Sequence, residues 1–180
     1  MRRVIGIGET ILDILFKNNQ PTVAVPGGSV FNGLVSLGRA GANVTFISEV
    51  GGDRVGDIIL NFMKDNGICT DNVMVYPERK SPISLAFLND KNDAEYSFYK
   101  DYPTLRLDVD MPEVTSEDIV MFGSFYAITP QLRDKVKELL DKARKVGAII
   151  YYDVNFRSTH AHEAIKLMPT ILENFEYADI

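Results

Sequence analysis

A chain of 180 residues has the length of one domain, and its 46% hydrophobic and 24% charged composition is that of an ordinary globular protein with a sizeable core. The net charge of −6 and the lack of any basic stripe exclude duplex nucleic acid as an expected partner, because such binding rests on clustered Lys and Arg. A single cysteine, Cys69, excludes an intramolecular disulfide; with no apolar run long enough for a signal or membrane segment, a cytoplasmic protein is expected.

In chain order, Val4 to Gly8 is a short apolar run that suits a buried strand. Ile11 to Phe16 and Thr22 to Val25 flank the polar turn Lys17-Asn18-Asn19-Gln20-Pro21 and predict a hairpin. Ser29 is placed to cap a helix through Leu34, Val35 and Leu37 that ends before Gly41. A strand from Val44 to Val50, a helix from Asp57 to Asn66 and a short strand from Val73 to Tyr76 follow. Ile83 to Leu88 and Glu95 to Tyr99, joined by Asn89-Asp90-Lys91-Asn92-Asp93, predict a second hairpin. Ile119 to Phe122 is a buried strand.

The clearest helix spans Pro130 to Val146, with Leu132, Val136, Leu139, Leu140 and Ala143 on one face, Thr129 as its cap and Gly147 after its end. A strand from Ala148 to Tyr152 leads to a helix from Ala161 to Leu172, with a break or kink expected at Pro169, and a final strand from Tyr177. Strands alternating with helices imply an α/β fold around a mostly parallel sheet. The two hairpins stand outside that alternation and should form a small separate β element. A sheet that stops at Ile180 would leave an open edge, so the chain is expected to be truncated or completed by something else.

No Gly-x4-Gly-Lys-Ser/Thr segment is present, and Gly6-Ile7-Gly8 lacks the third glycine of a dinucleotide fingerprint. His160 and His162 would not share a helix face, and no metal site is expected from them. Four places carry candidate chemistry. Asp13 follows the first strand. In Pro26-Gly27-Gly28-Ser29-Val30-Phe31-Asn32, paired glycines allow close ligand approach and Ser29 and Asn32 add polar groups at a helix start. Val50-Gly51-Gly52-Asp53-Arg54-Val55-Gly56-Asp57 joins a strand to a helix. Asp153-Val154-Asn155-Phe156-Arg157 sits at the C-terminal end of a strand, where open α/β sheets bind ligands, and Arg157 suits a phosphate contact. Taken singly, each also suits a turn, a cap or a surface salt bridge.

Together and in this order, the Gly27-Gly28 pair, Asn32, Gly41-Ala42 and Val50-Gly51-Gly52-Asp53-x-x-Gly56 resemble the first signature region of PfkB (ribokinase-like) carbohydrate kinases. The 153–157 segment is similar to that of fructokinase-like and 2-keto-3-deoxygluconate-kinase-like members. Val30 and Phe31 stand where the family usually has a small residue or Pro, and Lys100 where fructokinase-like chains often carry Arg. The resemblance covers the whole chain. It implies a three-layer α/β/α fold, with 1–180 the N-terminal part of one domain and segments about 12–26 and 82–100 forming a β lid over the sugar.

By the same resemblance, the intact protein transfers the γ-phosphoryl of ATP, with Mg2+, to a sugar hydroxyl. Fructose is the favoured substrate, ahead of 2-keto-3-deoxygluconate, ribose or adenosine. Asp13, Gly27, Gly28, Asn32, Phe98, Lys100 and Asn155 are the implied sugar contacts, and Arg157 lies near phosphate or sugar. The family's Asn-x-x-Glu and Gly-Ala-Gly-Asp motifs, which include the catalytic Asp, are expected beyond residue 180, so the chain alone should be inactive. A homodimer through the lid is expected, because Ile83, Leu85 and Phe87 alternate with Ser84, Ala86 and Leu88 and leave both faces apolar. A non-catalytic sugar-binding or assembly module is the reading from a different class.

Overall fold

A computed structural model of the chain describes residues 2–91, 93–156 and 158–180. The first half runs β1 (Arg3–Ile7), β2 (Ile11–Lys17), β3 (Gln20–Gly27), α1 (Ser29–Arg39), β4 (Asn43–Gly51), α2 (Arg54–Asp65), β5 (Ile68–Cys69) and β6 (Val73–Tyr76). The second runs β7 (Ile83–Leu88), β8 (Ala94–Tyr99), β9 (Ile119–Gly123), α3 (Arg133–Val146), β10 (Ile149–Asp153) and α4 (Ala164–Tyr177). The strand Ile68–Cys69 is too short to leave a periodic signal and is absent from the sequence reading.

Among the described residues the strands form two sheets. The main sheet has the order β10-β9-β1-β4-β5, with β6 also pairing β4, and every pairing is parallel. Alternation along its strands feeds two cores. Val4 and Phe46 enter the face packed by Phe31, Leu34, Ile59 and Met63 of α1 and α2. Ile5 and Ile47 enter the opposite face, against Val136, Leu139 and Leu140 of α3. This is the three-layer α/β/α arrangement that the family resemblance implies. The helix face Leu132, Val136, Leu139, Leu140 and Ala143 is fully buried, and each large side chain so placed contributes about 1.5–3 kcal/mol.

The second sheet has the order β3-β2-β7-β8. The two hairpins pair antiparallel within themselves and are joined by a parallel β2–β7 ladder that runs from Leu12↔Ile83 to Lys17↔Leu88. Asn18 and Asn19 take φ of 52° and 58° in the first hairpin's turn. Asn tolerates that left-handed region, and the turn twist matches the strands.

Four local expectations are corrected. Ser29 does not cap α1; Gly28 holds the cap position, and the Ser29 hydroxyl points elsewhere. Thr129 does not cap the next helix; its hydroxyl donates to the Phe125 carbonyl at 2.8 Å, and a 3-10 turn at Pro130–Leu132 precedes α3. Pro169 does not break α4, which continues through it to Tyr177. The carbonyl that a proline at 169 leaves unbonded in a helix is that of Ile165, a residue 93% exposed, where water can satisfy it. Finally, Tyr177 closes a helix rather than opening a strand. Residues 178–180 lie along β10 instead, where the Asp179 amide donates to the Ile150 carbonyl at 2.8 Å and the Tyr152 amide to the Ile180 carbonyl at 2.9 Å.

Candidate functional site

The C-terminal ends of β1, β9 and β10, the start of α1 and the inner strands of the second sheet converge on one region. Ligands of open α/β sheets bind in the crevice outside the carboxyl ends of the strands, where successive connections leave in opposite directions; here β1 lies between β4 and β9.

The second sheet contributes a transverse row. Val25, Asp13, Ser84 and Phe98 are register partners across its four strands, so their side chains share a face. The Ser84 hydroxyl, fully buried, donates to the Asp13 carboxylate. Partial burial pushes the Asp13 carboxyl above its ordinary range; the Ser84 hydrogen bond opposes that shift and the nearby Glu9 charge adds to it. A Cβ on Gly27 would stand 2.6 Å from Asp13 Oδ2, so only glycine leaves this carboxylate its approach. Gly28 has φ 142°, and a Cβ there would meet the Glu9 carbonyl oxygen at 2.2 Å. The glycine pair is thus required by two different contacts on two sides of the chain.

At the other side, the Ser29 hydroxyl donates to Asp153 Oδ2 at 2.7 Å and the Ser124 amide to the Asp153 carbonyl at 2.8 Å. Ser124 and Asn155 have φ of 55° and 36°, unusual for residues with a side chain. Such strain is held where surrounding structure overdetermines the backbone, and it clusters at functional sites. A cleft of about 40 Å³ opens between Glu9, Gly28, Ser29, Gly123, Ser124 and Tyr126.

Lys100, directly after β8, does not stand free. Its Nζ lies 2.6 Å from Glu9 Oε1, and the Tyr102 hydroxyl donates to the same oxygen at 2.6 Å. Burial, and then the Glu9 charge, push the Tyr102 phenol far above its usual range, so it is a neutral donor. The Arg106 guanidinium lies 3.6 Å over the Tyr102 ring. Arg106 Nε in turn donates to Glu49 Oε1 at 2.9 Å in a buried ion pair that also receives Tyr76 and Tyr126.

Asp13, Gly27, Gly28 and Lys100 are therefore gathered at this region. Phe98 lies on the Asp13 face of the second sheet, 58% exposed and stacked on Tyr96 at 5.8 Å. Asn32 is exposed on the first turn of α1, and Asn155 lies two residues past β10. Arg157 lies outside the described residues. Sequence reasoning misses Glu9, Ser84, Tyr102 and Ser124 and gives no role to the Asp153 carboxylate. An acid two residues past the end of β1 was a usable signal for Glu9; Ser84 and Tyr102 carry none, because their partners lie 71 and 93 positions away. Among the described residues no group of three or more His, Cys, Asp or Glu is arranged to hold a metal ion, and no helix is long and apolar enough to cross a membrane.

Comparison with known proteins agrees with this architecture. The profile of the pfkB family carbohydrate kinases matches residues 1–180. Probable fructokinase-6, chloroplastic, of Arabidopsis thaliana is 26% identical over 188 residues, covering 98% of this chain and 49% of its own. The chain spans about half the length of the curated relatives it matches. Among solved structures, an uncharacterized sugar kinase from Pyrococcus horikoshii in complex with ATP superposes with a TM-score of 0.79 at 24% identity, covering 98% of this chain and 61% of that one. The fructokinase from Vibrio cholerae O395 in its fructose, ADP and calcium ion bound form gives a TM-score of 0.82 at 19% identity, covering 99% and 59%.

Proposed function

Because the chain belongs to the pfkB family of carbohydrate kinases, we propose that the protein transfers the γ-phosphoryl of ATP to a hydroxyl of fructose, and that this chain supplies the surface that binds the sugar. One observation carries the reading: an Asp13 carboxylate oriented by Ser84 and left open by the absent side chain of Gly27. A carboxylate accepts hydrogen bonds from two adjacent sugar hydroxyls, and charge-assisted bonds contribute about 1.5–3 kcal/mol each. Gly28, Asn32 and Asn155 add backbone and amide groups on the main-sheet side, and Phe98 offers an apolar face to the sugar ring. The second sheet acts as a lid through its exposed β8. Self-association across it belongs to the same reading and draws support from the exposed Tyr96, Phe98 and Tyr99; sedimentation at micromolar concentration checks it.

Fructose as substrate and ATP as donor draw support from the relatives' own names and ligands. Magnesium is proposed on the general chemistry of phosphoryl transfer, in which a cation neutralises charge on the transferring group. The described residues of this chain offer it no carboxylate cluster. Residues 1–180 by themselves are proposed to bind sugar without turnover. The test is a panel of sugars with ATP, read by coupled ADP release and by calorimetry on the whole protein. Fructose-dependent ADP release is the expected result. Sugar binding without turnover would favour a non-catalytic module, and an absence of sugar binding would overturn the reading.

A further inference from the structure

The geometry points to Glu9 as a specificity-determining residue: by occupying the Lys100 ammonium, it makes the site select an uncharged sugar over a sugar acid. This rests on the sugar-binding reading above. Lys100 is the cation that the second sheet brings to the site, and an unpaired ammonium there would attract a ligand carboxylate. Instead its Nζ is 2.6 Å from Glu9 Oε1, an oxygen that also accepts from Tyr102. The Tyr102 contact keeps Glu9 in place, so the pair does not depend on two flexible side chains alone. The neighbouring cation, Arg106, is closed off in the same way by the buried Glu49 carboxylate.

Two carboxylates are left without a cationic partner among the described residues. Asp13 is held by the Ser84 hydroxyl and Asp153 by the Ser29 hydroxyl. Glu9, Glu49, Asp13 and Asp153 stand against Lys100 and Arg106, and on the outer side Lys80 and Arg79 are matched by Asp53 and Asp101, so two negative charges are in excess. Arg157, outside the described residues, is not in that count. Hydroxyl donors are welcome in such a field, whereas an entering anion is repelled. Partial burial keeps the field from being fully screened. Selection of this kind works through a repulsive element against the wrong ligand as much as through contacts to the right one. It predicts discrimination of about tenfold or more.

The test is calorimetry on the whole protein with two probes, fructose and 2-keto-3-deoxygluconate, for wild type, Glu9→Gln and Lys100→Gln. Wild type is expected to favour fructose at least tenfold. Glu9→Gln releases the ammonium and should move the affinity ratio about tenfold toward the acid, an effect that shrinks in high salt. Lys100→Gln leaves Glu9 uncompensated and should move the ratio the other way, which keeps the inference testable if Glu9→Gln does not fold. Wild type that binds the acid as tightly as fructose, or ratios unmoved in both variants with fructose still bound, would overturn the role of Glu9 and leave the sugar reading standing. Wild type that binds neither probe would overturn the sugar reading itself.

Discussion

The Ser29 hydroxyl donates to the Asp153 carboxylate at 2.7 Å across 124 positions of sequence. This contact ties the first residue of α1 to the end of β10, and so fixes two edges of the cleft against each other. Ser29→Ala leaves a half-buried carboxylate short of a donor. It should lower stability by about 1–2 kcal/mol in urea unfolding. Ser29→Thr, which retains the hydroxyl, should recover most of the loss.

Asp13, proposed above as a sugar ligand, also bears on stability. Its carboxyl is raised by burial, so the folded state prefers the protonated form. The stability it contributes is fully present below the ordinary carboxylate value of 3.8 and is lost as pH rises through the higher folded value. At pH 7 the ionised group therefore works against folding. Asp13→Asn, which can still accept from Ser84, should raise the unfolding midpoint at pH 7 and leave it little changed at pH 3. The same variant should weaken sugar binding at least tenfold by calorimetry.

The Arg106–Glu49 pair is almost wholly inside, with side chains 8% and 1% exposed. Removing one partner strands the other. Arg106→Ala or Glu49→Ala alone should cost about 3–5 kcal/mol, while Arg106→Met with Glu49→Leu should recover much of it. A double-mutant cycle in urea, with sugar affinity measured alongside, separates the two single losses from their coupling.

Acid sensitivity should be traceable to the floor of the main sheet. Burial pushes the Asp118 carboxyl up, but the Arg3 guanidinium, at 2.7 Å, and two bonds from Thr115 outweigh it and hold it below 3.8. The stability so gained is present above that value and is lost as pH falls through the depressed one. Arg3→Gln should therefore be less stable than wild type by about 1–2 kcal/mol at pH 6, with the two curves converging toward pH 2. Thermal melts across that range check this.

The outer hairpin of the second sheet has little beneath it. Five of the six residues of β8 are exposed, whereas Ser84 and Ala86 of β7 are buried. Amide hydrogen exchange should be fastest in β8 and should slow across residues 83–99 when fructose is added. Protection unchanged at saturating fructose would count against closure of this sheet on a ligand.

The three layers came from the family resemblance, whereas, apart from β5, the strands of the main sheet and both hairpins were legible in the sequence because they rest on local periodicity and turn chemistry. Val4–Ile5 and Phe46–Ile47 show it, since adjacent apolar residues serve opposite faces of a doubly covered sheet. The glycine pair was legible as a place of close approach, though not the separate reasons for Gly27 and Gly28. What stayed hidden was set by partners remote in sequence. Ser29 looked like a cap because its local spacing allows one; Asp153, far along the chain, takes its hydroxyl instead. Lys100 looked like a free ligand because nothing nearby in sequence announces Glu9. Pro169 looked like a break in the helix because a solvent-facing carbonyl one turn back cannot be read from composition.

The parallel ladder between β2 and β7 also bears on the order in which the molecule assembles. Each hairpin closes locally, and hairpins form in about 1–10 μs. Their union must wait, because Asp13 and Ser84 are 71 positions apart and the intervening chain holds β4, α2 and β6. Closing so long a loop is entropically unfavourable until those elements have condensed onto β1. The Asp13–Ser84 contact is thus expected to form late on the folding route. During synthesis, the first hairpin emerges and remains without its neighbour until the Ile83–Leu88 strand has left the ribosome and returned to it.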